Sequence, residues 1–94
     1  MECATSIFSR HALTQMFLRS IAVEDIKAVL SHGDAIESYP DDTPYPSCLL
    51  LGKVQARVLH VVVAQNSADG ACVVIAAYEP NPTLWSADYR TRKK

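Results

Sequence analysis

The chain has 94 residues, 49% of them hydrophobic and 20% charged, and its net charge is −1. That length holds one core and leaves no room for two, and the apolar content excludes a disordered chain. No apolar run is long enough to cross a bilayer, and residues 1–6 lack the charged-then-apolar order of a secretion signal. A single cytoplasmic domain spanning 1–94, without membrane contact, is therefore expected.

In chain order, residues up to Phe8 form a candidate first strand, short and with only Ile7 and Phe8 as bulky apolar residues. Ser9 reads as a helix N-cap, because its hydroxyl can accept from the free amides of a first turn. Helical spacing follows over Arg10–Arg19, with Ala12, Leu13, Met16 and Phe17 on the arc expected to pack. His11, Gln15 and Arg19 fall four apart on the other arc. That arc is either a solvated polar face or one that presents an imidazole and a guanidinium to a phosphate. After Ser20-Ile21-Ala22, a second helix is expected over Val23–His32, burying Val23, Ile26, Ala28, Val29 and Leu30. Gly33 is placed to end it in the left-handed conformation.

The period then changes to that of strands. Ala35–Tyr39, Ser47–Val54, a run centred on Val58–Val63 and Ala71–Tyr78 are the expected strands. The proline- and aspartate-rich loop 40–46 separates the first two, and Gly52 marks a bulge or a close backbone approach. Val58-Leu59-His60-Val61-Val62-Val63 reads as a central strand apolar on both faces. Its histidine is either a buried imidazole satisfied by a hydrogen bond or the lining of a pocket at mid-sheet. Asn66–Gly70 turns the chain, and a symmetric hairpin there puts His60, Val74, Ala76 and Tyr78 on one face. Pro80 and Pro82 stop the sheet. Trp85 and Tyr89 follow, in a segment expected either to fold back across the sheet or to form one helical turn before the basic end.

Four of the nine basic residues, Arg90, Arg92, Lys93 and Lys94, stand at the C-terminal end. Such an end either follows a phosphate backbone or is simply solvated. The three cysteines, Cys3, Cys48 and Cys72, have no CxxC spacing, which counts against a disulfide framework and a thiolate zinc site. Cys48 and Cys72 read as small core residues, with a thiolate paired to His60 as the weaker alternative. No phosphate loop, HExxH, GxSxG or metal-binding carboxylate cluster is present, so no metal or cofactor is expected. The chemistry left open is metal-independent and uses His, Arg, Lys and Tyr, the set that cleaves RNA through its own 2′-hydroxyl.

Ser9-Arg10-His11-Ala12-Leu13, Arg19-Ser20-Ile21, Gly33, Tyr39-Pro40-Asp41-Asp42, Pro44-Tyr45-Pro46, Leu59-His60-Val61-Val62-Val63 and Tyr78-Glu79-Pro80 together resemble a family of small prokaryotic domains of unknown function. That family is similar to RelE/BrnT-type toxins of toxin–antitoxin pairs. The resemblance implies an α+β fold, two N-terminal helices packed on a three- to four-stranded antiparallel sheet. It also implies RNA, free or ribosome-bound, and an antitoxin, of zinc-finger type beside several members, as partners. His60, His11, Arg19 and Tyr78 are then the catalytic candidates, and Arg90, Arg92 and Lys93 the RNA-binding ones. Gln15 stands where an arginine is usual and Ser20 where a glycine is usual; the first removes a cation from the presumed phosphate face. The competing expectation is a non-catalytic protein-binding module, favoured if the candidate residues do not converge on one face.

Overall fold

The computed structural model describes residues 1–93. Its elements are β1 (Ser6–Phe8), α1 (Arg10–Arg19), α2 (Val23–His32), β2 (Asp34–Tyr39), β3 (Ser47–Val54), β4 (Arg57–Gln65) and β5 (Cys72–Tyr78). The strands make one five-stranded sheet in the order β1-β5-β4-β3-β2. β2, β3, β4 and β5 pair antiparallel, and β1 lies parallel to β5 with Ser6 opposite Cys72 and Phe8 opposite Val74.

The expected sheet of three or four antiparallel strands is thus corrected to a mixed sheet of five, in which more of the chain is strand than helix. The reason is the N-terminal segment. Its backbone supplies the edge that β5 lacks, through Ala4 N–H to Gly70 O and Cys72 N–H to Thr5 O, both at 2.9 Å. The same register sets Cys3 beside Cys72, whose Cα atoms are 5.4 Å apart and whose sulfurs are bonded. A disulfide therefore exists where cysteine spacing argued against one, since the bond joins residues 69 apart that only the fold makes neighbours. Cys72 is a core residue as expected, and Cys48 is a free, half-buried thiol.

The helical hairpin covers one sheet face. Ala12, Met16, Ile21, Ile26, Val29 and Leu30 pack there against Leu50, Leu59, Val61, Val63, Val74 and Ala77. Ser9 caps α1, its Oγ accepting from Ala12 N–H at 3.0 Å. α1 is turned about its axis relative to expectation. Gln15 is half-buried and its Oε1 accepts Ala77 N–H at 2.9 Å, on the β5 edge beyond the end of β1. With Ala12, Gln15 and Met16 facing the sheet, Leu13 and Phe17 rotate outward and are 49% and 84% exposed. Val23 of α2 is also exposed, not buried.

Ser20, not Gly33, takes the left-handed backbone, with φ 53°, and closes α1. Gly33 is extended and is required for another reason: a Cβ there would lie 2.6 Å from Val29 O and 2.9 Å from Leu51 O. Gly52 sits where Val29 presses on β3, so its role is close approach and not a bulge. The bulges fall in β2 and between β4 and β5 at Val62/Val63. The second moves Val74 into the helix-side core and leaves Ala76 and Tyr78 with His60, which corrects the symmetric hairpin.

The opposite sheet face is covered around His60 by the chain after β5, and at its Ala64–Val73 end by the loop 40–46. Trp85 is 4% exposed and pairs with Arg92 in a short antiparallel bridge. Ser86 N–H to Thr91 O and Lys93 N–H to Leu84 O, each 2.8 Å, close this loop on itself. Lys94, counted with the basic end, lies outside the described residues.

Candidate functional site

Strand alternation puts Leu59 and Val61 into the helix-side core and His60 on the other face, across from Leu51 and Tyr78. His60 is fully enclosed. Its Nε2 lies 2.9 Å from the main-chain oxygen of Tyr89. A carbonyl only accepts, so Nε2 carries the proton and Nδ1 is left to accept from the Tyr78 hydroxyl, 3.4 Å away. The indole of Trp85 stands edge-on to the imidazole with ring centres 4.5 Å apart, and the Tyr78 ring does so at 5.4 Å.

Burial holds His60 below the usual imidazole range, opposed by its bond to Tyr89. Burial also raises the Tyr78 phenol, with Tyr39 adding to the rise and Arg92 opposing it. His60 is thus an enclosed histidine whose burial disfavours the charged form and whose two nitrogens each face a hydrogen-bond partner. It fits the first of its two sequence readings, an imidazole satisfied inside the protein.

The remaining candidates are dispersed. Tyr78 joins His60. His11 and Arg19 are exposed on α1, which packs on the other side of the sheet. Arg90 bonds the Asp34 carboxylate at 2.7 Å, with both groups largely solvated. Arg92 lies over the Trp85 ring, 5.3 Å from its centre, and Lys93 Nζ donates to Pro82 O at 3.1 Å. Arg90 thus ties this segment to β2, while Arg92 and Lys93 engage residues of the segment itself. Among the described residues, no three His, Cys, Asp or Glu side chains are grouped to hold a metal ion.

Two residues escaped sequence reasoning. Arg57 donates to Arg19 O and Ser20 O at 2.8 Å and to Glu79 Oε1 at 3.0 Å, clamping the C-terminal end of α1 to the sheet. Gln15 is the second. Its amide serves the β5 backbone, so the position is not part of an outward phosphate face, and the presumed loss of a cation there does not apply.

The second candidate site is the outer side of α1. Leu13, Phe17 and Leu18 are 49%, 84% and 72% exposed. Arg10, His11 and Arg19 flank them, and α1 contains no carboxylate. Large apolar side chains at helical spacing on a basic helix form a surface suited to another helix.

A family model described as a domain of unknown function (DUF4258) matches residues 8–79. No curated protein and no solved structure matches the chain.

Proposed function

We propose that this chain, which belongs to the DUF4258 family, acts as a protein-binding domain that takes an acidic amphipathic helix on α1. The observation that carries this reading is the exposure of Leu13, Phe17 and Leu18 between Arg10 and Arg19. Burying one such side chain in a complex contributes roughly 1.5–3 kcal/mol, and the arginines select carboxylates at the rim. The resemblance to RelE/BrnT-type toxins supports a dedicated partner of this kind, an antitoxin. The RNA-cleaving reading asks His60, His11, Arg19 and Tyr78 to act on one substrate, whereas His60 is enclosed and α1 lies across the sheet from it. Binding is therefore the reading that the geometry favours.

The test uses a helical peptide with leucines along one side and glutamates flanking them, against the same peptide with lysines. The glutamate form is expected to bind the chain, and Phe17→Glu with Leu18→Glu to weaken it by about tenfold or more, equivalent to 1.4 kcal/mol. Equal binding of both peptides, or undiminished binding by the folded double variant, overturns the proposal. Cleavage of RNA by the purified chain would restore the enzymatic reading in its place.

A further inference from the structure

We propose that residues 81–93 form a pH-released latch over the outer sheet face, closed while His60 is neutral and opened when it takes a proton. The proposal is independent of the α1 surface.

The latch is a unit of its own. Leu84 and Trp85 N–H groups bond Asn81 O, and the Trp85–Arg92 bridge closes the far end. Among the described residues its polar ties to the sheet are the Tyr89 carbonyl on His60 Nε2 and an exposed Arg90–Asp34 pair, beside the indole that stands on the imidazole. Tyr89 adopts φ 60°, a left-handed backbone that a side-chain-bearing residue rarely holds unless its surroundings fix it. The bond that uses its carbonyl is the one to His60. A strained residue thus supplies the acceptor that the central strand needs.

Protonation attacks that contact because, among the described residues, no group bonded to or stacked on the imidazole is an anion. From β5 the imidazole meets only the Tyr78 hydroxyl, and from the latch the Tyr89 carbonyl and the indole. Arg92, a cation, caps that indole. β3 contributes Leu51 opposite, with exposed Lys53 two residues on, and β2 contributes the Tyr39 phenol near Tyr78. Of the carboxylates on this face, Asp34 is bonded to Arg90, Asp88 accepts from Ser86 Oγ and Arg90 N–H, and Glu37, opposite Leu49 on β2, is exposed to solvent. A buried imidazolium beneath an indole that carries Arg92 over its ring is stabilised by water only if the latch lifts.

The direction follows from linkage. The closed form binds fewer protons than the open form, so closure is favoured above the ordinary histidine value of 6.5 and weakens as pH falls below it. Opening uncovers His60, on which Trp85 and Tyr89 sit, without requiring the helix-side core to move.

Trp85 is the chain's single tryptophan and reports the latch directly. On lowering pH below 6.5, its emission should shift to the red and its quenching by acrylamide rise several-fold, reversibly, while the far-ultraviolet sheet signal persists. Trypsin cleavage after Arg90 and Arg92 should accelerate over the same range. His60→Phe should hold the indole buried across it. Should that variant not fold, titration of the His60 imidazole by NMR decides, because it should take up its proton over the same pH range in which the indole is released. A Trp85 signal unchanged until the sheet itself unfolds overturns the latch, as does the same transition in folded His60→Phe or release of the indole without protonation of His60.

Discussion

The Nε2 of His60 and the main-chain oxygen of Tyr89 meet at 2.9 Å, so a polar side chain in the middle of the sheet is completed by backbone from the C-terminal segment. The relation is mutual. His60 needs an acceptor because it is fully enclosed, and the segment needs an anchor because the prolines at 80 and 82 deny it a place in the sheet. His60→Gln should therefore destabilise the fold by about 1–3 kcal/mol, since glutamine cannot reach both partners. Trp85→Ala should lose roughly 3–5 kcal/mol. Because the rings touch, the two losses should not add, and a double-mutant cycle should return a coupling of at least about 0.5 kcal/mol. Additive losses in chemical denaturation would show that the segment is held by other contacts.

The Cys3–Cys72 bond joins the N-terminal segment to the first residue of β5 and closes a loop of most of the chain. Crosslinks of this kind typically contribute about 2–4 kcal/mol by restricting the unfolded ensemble. Reductant should lower the melting temperature of the wild type and leave Cys3→Ser unaffected. A reductant effect that persists in Cys3→Ser would assign the change to Cys48 or to the medium.

How far the sequence carried is best seen at particular residues. The 3.6-residue period located both helices and the β-branched runs located the long strands, because burial writes these patterns locally. Ser9 and Gly70 were legible because cap and turn geometry depend on one residue. β1 was legible as a short candidate strand but its parallel place beside β5 was not, since the opposing residues lie 66 positions away. Nor was the rotation of α1: Leu13 and Phe17 look like core until a polar residue, Gln15, proves to have a backbone partner inside. At the site, His60 stood out as a polar residue in an apolar run. Its acceptor was invisible, because a carbonyl oxygen is carried by every residue and only the backbone path selects Tyr89.

Two glycines offer a graded test of close approach. A Cβ on Gly33 would meet backbone, at 2.6 Å from Val29 O, whereas one on Gly52 would meet the Val29 side chain at 2.7 Å. Backbone of a helix end gives way less readily than a methyl group. Both alanine variants should be destabilised, on the order of 1–3 kcal/mol, with Gly33→Ala the worse. The reverse order in thermal unfolding would mean that Val29 is fixed more tightly than the helix end.

Gln15 provides the sharpest test of what α1 does for the sheet. β1 pairs with β5 only as far as Val74, so the Ala77 N–H on that edge has no strand partner and takes the Gln15 amide oxygen instead. An acceptor is what the position requires. Gln15→Ala removes it and should lower stability by about 1–2 kcal/mol, with faster amide exchange at Ala77. Gln15→Glu keeps an oxygen in place and should lose less. Gln15→Arg carries only donors and should behave at least as badly as alanine. If Gln15→Arg matches the wild type in melting temperature and in Ala77 exchange, the hydrogen bond is dispensable. α1 would then be held by Ala12 and Met16 alone.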